Sequence, residues 1–214
     1  MNVKVVSRIL EANDRIAGEN RKIFRDNGIY VLNLMSAPGA GKTTLLEATI
    51  RALKDRKKIG VIEGDIDTDR DAKRIAALDI PVVQINTKGA CHLDANMIRE
   101  VLNEFPVKDM DLLFIENVGN LVCPAEFDVG ENEKVMILSV AEGDDKPLKY
   151  PLMFQESAAL LLNKIDLLPY VDCSIDKIRT DVAKLNPKIK IFETSCRTGD
   201  GLSGWYEWLM GKGE

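Results

Sequence analysis

Residues 31–44, VLNLMSAPGAGKTT, decide how the whole chain reads. The apolar run Val31, Leu32, Leu34 and Met35 predicts a buried strand, small residues follow it, and a helix-forming segment begins near Lys42. Strand, glycine-bearing loop and helix in that order make a phosphate-binding loop. Gly39, Ala40 and Gly41 leave the backbone free to turn its N–H groups toward a triphosphate, and the helix opening at Lys42-Thr43-Thr44 offers unpaired donors and a positive dipole end. In such a loop Lys42 reaches the β- and γ-phosphates, and the Thr43 hydroxyl ligates Mg²⁺. The pattern G-x-x-x-x-G-K-[ST] asks for glycine at position 36, where this chain has Ser36; Gly41-Lys42-Thr43 keeps the pattern.

Before this loop, residues 1–26 place Val3, Val6, Ile9, Leu10, Ile16, Ile23 and Phe24 near helical spacing among many charges. They predict one long amphipathic helix, stopped by Asn27-Gly28. After the loop, apolar segments at 59–62, 81–85, 112–115, 135–140, 158–162 and 189–193 read as strands. Helical patterns run to about Arg56 and over 92–105, 175–185 and 202–210. Such alternation predicts an α/β fold, a P-loop NTPase with a mostly parallel β-sheet, helices on both faces and ligand sites at the strand C-termini. No repeat or linker interrupts it, so 1–214 reads as a single nucleotide-binding domain with the helix of about 1–26 attached.

A chain 45% apolar and 29% charged has the material for a core. A net charge of −5 gives no general reason to bind nucleic acid or an anionic membrane, and neither partner is expected. No leader pattern and no apolar run near the ~20 residues of a membrane span is present. Four scattered cysteines suit a reducing compartment, and the expected location is cytoplasmic.

Glu116-Asn117-Val118-Gly119 follows a hydrophobic strand where a GTPase has Asp-x-x-Gly, whose carboxylate holds Mg²⁺ and whose glycine N–H senses the γ-phosphate. Asp65, also at a strand end, is a second candidate for the Mg²⁺ sphere. Asp67, Asp69 and Asp71 read as a solvated acidic loop that a triphosphate can order. Asn163-Lys164-Ile165-Asp166 is the N-K-x-D arrangement that selects guanine: Asp166 accepts from N1 and N2 together, Lys164 lies along the base, and Asn163 ties the loop to the phosphate loop. Adenine lacks that donor pair. Ser195-Cys196-Arg197 resembles the loop whose backbone meets the guanine O6.

The chain's one histidine, His92, adjoins Cys91, and Cys123 lies seven residues beyond Glu116. Thiolate and imidazole suit Zn²⁺ and Ni²⁺ alike, and ligand type does not separate the two. Three ligands leave a tetrahedral site incomplete, which implies closure by a second copy or an exchangeable site. Cys173 and Cys196 read as structural.

With these segments in view the chain resembles the hydrogenase nickel-incorporation GTPases, the HypB family. The resemblance covers nearly the whole chain. It is carried by Ser36–Thr44, NTKGACHLD at 86–94, ENVGNLVCP at 116–124, EGDDKP at 142–147 and Asn163–Asp166. It implies a nickel- and zinc-binding GTPase that dimerises with GTP and helps deliver nickel to the [NiFe]-hydrogenase precursor beside an accessory metallochaperone. It implies also that Cys91, His92 and Cys123 form a metal site at the dimer interface and that the loop carrying Lys146 reaches the opposite subunit's nucleotide. The N-terminal cysteine motif or histidine-rich stretch of some members is not found in these residues, so transfer rather than storage is expected. The urease accessory GTPases, which show Cys-Pro-His where this chain has Cys91-His92, and a plain GTP-dependent switch with structural cysteines are the competing readings. No residue stands out as water-orienting and no arginine finger is assignable, so slow hydrolysis is expected.

Overall fold

The structure, a computed structural model, describes residues 3–66 and 69–213, with side chains from Leu10 onward. Asp67 and the side chains of Val3, Val6 and Ile9 lie outside the described residues. Seven strands are described: β1 Tyr30–Ser36, β2 Ile59–Asp65, β3 Val82–Asn86, β4 Leu112–Glu116, β5 Glu133–Ser139, β6 Ser157–Asn163 and β7 Lys190–Glu193. They form one sheet in the order β3-β2-β4-β1-β5-β6-β7, and every pairing is parallel. The strands read as nearly unbroken apolar runs because both faces of the sheet are covered.

Helices α1 Val3–Asp26, α2 Lys42–Leu53, α3 Arg70–Ala76 and α4 Ala95–Leu102 accompany the first four strands. The short α5 Cys123–Glu126, α6 Lys146–Lys149 and α7 Pro151–Gln155 follow, then α8 Ile175–Leu185 and α9 Leu202–Met210. Alternate residues of β1 divide the core. Leu32 and Leu34 face α2, α3 and α9, against Leu45, Ile50, Ile75 and Trp205. Val31 faces α1 and α4 through Phe24, Ile98 and Leu102, and Met35 faces α7 and α8 through Phe154 and Ile178.

Two buried asparagines fasten α1 to this body. Asn13 donates to the Asp128 carbonyl and accepts from the Ala95 N–H, while Asn20 donates to the carbonyls of Ala95 and Val129. Helices α2 and α4 end about three residues before the expected Arg56 and Phe105, and α4 also starts later than expected. The helix expected from His92 begins at Ala95, because Asp94 is its N-cap and accepts from the Met97 N–H at 2.8 Å. A capping side chain satisfies a first-turn donor only from outside the helix. Cys91 and His92 therefore sit on a loop.

Candidate functional site

The C-terminal ends of β1, β2 and β4 open into a cleft of about 450 Å³, lined by the phosphate loop, Glu63, Asp65, Glu116 and Gly119. Helix α2 begins at Lys42 with no side-chain cap, which leaves its first N–H groups aimed into the cleft. Gly41 has φ 107°, and a Cβ there would stand 2.5 Å from Asn163 Nδ2. Only glycine lets the loop close this tightly. Ser36 explains its own departure from the pattern: its hydroxyl accepts from Lys42 Nζ at 2.9 Å and donates to the Ala37 carbonyl. Lys42 is thus held, buried, at the floor of the cleft.

Thr43 Oγ1 donates to Glu116 Oε1 at 2.9 Å, which puts hydroxyl and carboxylate together. The β2–β4 register sets Glu63 beside Glu116, both buried, and each has an Oε2 atom with no hydrogen-bond partner. Burial first, then the Glu116 charge, pushes the Glu63 carboxyl well above the usual carboxylate range. Burial likewise raises Glu116, with Lys42 opposing it. Two adjoining buried carboxylates with orphaned oxygens call for a cation, and an all-oxygen set of Thr43, Glu63, Asp65 and Glu116 suits Mg²⁺. Glu63 is absent from the sequence reading, which assigned the β2 contribution to Asp65; both line the cleft. Asp71, expected on a solvated loop, lines the cleft too and pairs with Arg74 at 2.9 Å, whereas Asp69 is exposed and pairs with Lys73.

Replacing Glu63 by Gln should therefore stabilise the nucleotide-free protein. A carboxyl whose folded pKa lies above its unfolded value keeps its proton in the native state while the unfolded chain loses it. Stability then falls as pH rises above about 4.3, by at most about 1.4 kcal/mol per pH unit. Glu63→Gln should raise the melting temperature at pH 8 by several degrees and flatten its pH dependence, while raising the Mg²⁺ concentration needed for tight GDP binding. An unchanged melting temperature with an unchanged Mg²⁺ requirement would remove Glu63 from the cation site.

A neighbouring hollow of about 370 Å³ is lined by Gly41, Thr44, Asn163, Lys164, Asp166, Cys196 and Arg197. Asn163 Nδ2 donates to the Ala40 carbonyl and Lys164 Nζ to the Gly39 carbonyl, so both reach back to the phosphate loop. Ser195 Oγ donates to Asp166 Oδ1 at 2.7 Å and orients that carboxylate. The Cys196 N–H points to Asn163 Oδ1 at 3.4 Å, and burial pushes the Cys196 thiol up to about 11. Lys146 lines neither hollow; its Nζ donates to the Glu142 carbonyl and to Asp145.

Cys91, His92 and Cys123 converge away from the nucleotide cleft. Each offers one ligand atom, and the three atoms lie within 4.8 Å of one another, with 2.9 Å between the two sulfurs. His92 stacks on Phe127 with 3.8 Å between ring centroids, and burial lowers its pKa, which favours the neutral imidazole that binds metals. The Cys91 thiol and then burial push Cys123 up to about 11, so a cation is needed to hold the Cys123 sulfur ionised. The arrangement suits a thiophilic divalent ion.

Gly119 lies against the phosphate loop, four residues before Cys123. A Cβ on it would come within 3.0 Å of Pro38 in the phosphate loop, and the Asn120 N–H donates to the Ser36 carbonyl at 2.8 Å. Residues 30–193 match the family model for the CobW/HypB/UreG nucleotide-binding domain. The hydrogenase maturation factor HypB of Azotobacter chroococcum is 51% identical over 207 residues, which span 97% of this chain and 68% of that protein. The chain belongs to the HypB family. A crystal structure of HypB from Archaeoglobus fulgidus superposes with a TM-score of 0.90 at 40% identity, covering 96% of this chain and all of that one. HypB from Helicobacter pylori, solved in complex with nickel, superposes at 0.89 with 40% identity over 94% of this chain and 95% of that one. The HypB fold thus accounts for the seven-stranded parallel sheet.

Proposed function

We propose that this chain is a GTP-hydrolysing nickel carrier of [NiFe]-hydrogenase maturation, with nickel as its cargo at Cys91, His92 and Cys123. The observation that carries the reading is the convergence of those three donors, contributed by two separate segments, next to a segment that packs on the phosphate loop. Cysteines with a purely structural role have no need of an adjoining imidazole. Support comes also from the nickel complex of the Helicobacter pylori relative and from the hydrogenase maturation role in the relatives' names.

In the nucleotide site, Lys42 and the α2 N-terminus hold the β- and γ-phosphates, and Asp166 selects guanine. Thr43, Glu63, Asp65 and Glu116 would hold Mg²⁺, which when bound neutralises charge developing on the phosphate oxygens. Arg74, the arginine lining the cleft, is engaged by Glu47 and Asp71. Unassisted hydrolysis should therefore be slow, on the order of 10⁻² s⁻¹ or less. Three donors per chain also favour completion of the metal site by a second copy, with GTP, the metal or both promoting the homodimer. Zinc competes for the same ligands. The accessory metallochaperone and the hydrogenase precursor are the partners this role needs, in the cytoplasm; among the described residues no helix is long and apolar enough to cross a membrane.

An anaerobic titration tests the reading. Stoichiometric Ni²⁺ binding is expected in the unmodified protein, and Cys123→Ser should lose at least tenfold in affinity, as removal of a direct ligand costs more than the 10–100-fold typical of an outer-shell partner. Sedimentation with a non-hydrolysable GTP analogue and Ni²⁺ should show dimers. No stoichiometric nickel, or full binding in Cys123→Ser, would overturn the cargo site and leave a GTP-dependent switch.

A further inference from the structure

Two asparagines flank Val118-Gly119, and each holds one limb of the thiol–imidazole cluster. The side-chain oxygen of Asn117 accepts from the N–H of Leu93 at 3.0 Å, across 24 residues of sequence, and also from the Val118 N–H at 2.9 Å. Leu93 directly follows His92, so this bond fixes the limb that carries Cys91 and His92. On the other side, Asn120 Oδ1 accepts from the N–H groups of Val122 and Cys123 at 2.7 and 3.2 Å, while its own N–H is bound to the Ser36 carbonyl. That places the second limb under the same four-residue segment.

The Asn117 side chain has a second attachment. Its Nδ2 donates to Asn33 Oδ1 in β1, Asn33 Nδ2 donates to Glu131 Oε1, and Glu131 Oε2 accepts from the Val129 N–H. Asn117, Asn33 and Glu131 are all buried. A buried polar chain with its partners matched has few alternative arrangements, so a shift at one end cannot be absorbed by water. Val129 lies two residues past Phe127, the ring against which His92 stacks. One end of this chain therefore holds the limb that carries Cys91 and His92, the other lies two residues from Phe127, and Asn117 itself directly follows Glu116.

We infer that Asn117 is a positioning residue that relays the state of the γ-phosphate segment to the Cys91-His92 limb. A movement of Val118-Gly119 on triphosphate binding must carry the Asn117 oxygen with it or break its bond to Leu93. Either outcome changes where His92 and Cys91 stand relative to Cys123. The inference rests on the cluster being a nickel site.

The readout is the ratio of Ni²⁺ affinities in the GDP-bound protein and in the protein bound to a non-hydrolysable GTP analogue. Both are measured on the full chain at saturating nucleotide by competition with a chromophoric chelator. A ratio of roughly 5–150-fold is expected for the unmodified protein, the usual range for coupled sites. Asn117→Ser should bring it close to one. Asn13→Ala serves as the contrast, since Asn13 holds Ala95 of the same limb from α1, away from the nucleotide. It should weaken nickel equally in both states and leave the ratio intact. Should Asn117→Ser fold poorly, hydrogen exchange of the Leu93 amide in the unmodified protein must differ between the two nucleotide states. A ratio that survives in Asn117→Ser, or Leu93 protection identical in both states, overturns the relay. A ratio of one in the unmodified protein also overturns it, yet the loss of stoichiometric nickel in Cys123→Ser would still stand and keep the metal-site reading.

Discussion

Lys42→Ala is expected to weaken GTP binding by roughly 10²–10³-fold or more. Its ammonium group is buried at the floor of the cleft and held by Ser36 Oγ, so it meets the β/γ oxygens with little competition from water. Removing one partner of a buried charge pair costs about 3–5 kcal/mol, which is more than two decades in affinity. The α2 N-terminus remains in the variant and should retain weak phosphate binding. Fluorescent GDP and GTP analogues give the measurement directly, and affinities within tenfold of the unmodified protein would show that Lys42 does not face the phosphates.

Asp166→Asn should exchange one base for another. Ser195 fixes the Asp166 carboxylate through Oδ1, in a hollow shared with Asn163 and Lys164. Guanine offers N–H groups at N1 and N2 to that carboxylate, and hydrogen bonds to a charged group contribute about 1.5–3 kcal/mol each. Loss of both weakens GTP by roughly 10²–10⁴-fold. Asparagine presents an N–H of its own, which suits the C2 oxygen of xanthine, so xanthosine triphosphate should become the preferred ligand. Competition of the two nucleotides for the variant decides the matter; undiminished guanine preference would take Asp166 out of the base site.

The phosphate loop and the N-K-x-D loop are legible in the sequence because each is a contiguous run whose spacing alone dictates the backbone. The inner strands are legible because burial on both faces leaves them largely apolar. Glu63 escaped for a different reason: its partner Glu116 is identified only by the β2–β4 register, which no local pattern encodes. The start of α4 lies three residues beyond the point its apolar spacing suggests, because that spacing continues through Leu93 while the Asp94 cap decides the boundary. Asn33 and Asn117 are polar residues in or beside apolar strands, and their meaning lies in each other and in Leu93. Cys91, His92 and Cys123 stand out because the one histidine adjoins a cysteine, yet their convergence is a property of two limbs held by α1 and the asparagines.

The strand order has a consequence for how the chain acquires its shape. Residue 30 of β1 pairs with residue 112, and residue 32 pairs with residue 133. The earliest of the seven described strands is thus the middle of the sheet, and it waits through about eighty residues for β4 and about a hundred for β5. Contacts of such long range make folding slow and leave apolar edges open meanwhile. The cradle for the nucleotide matures later still, because Asn163 is what seals Gly41 and Ala40. The phosphate loop and the loop that reads the base thus come together only after six of the seven strands have been made.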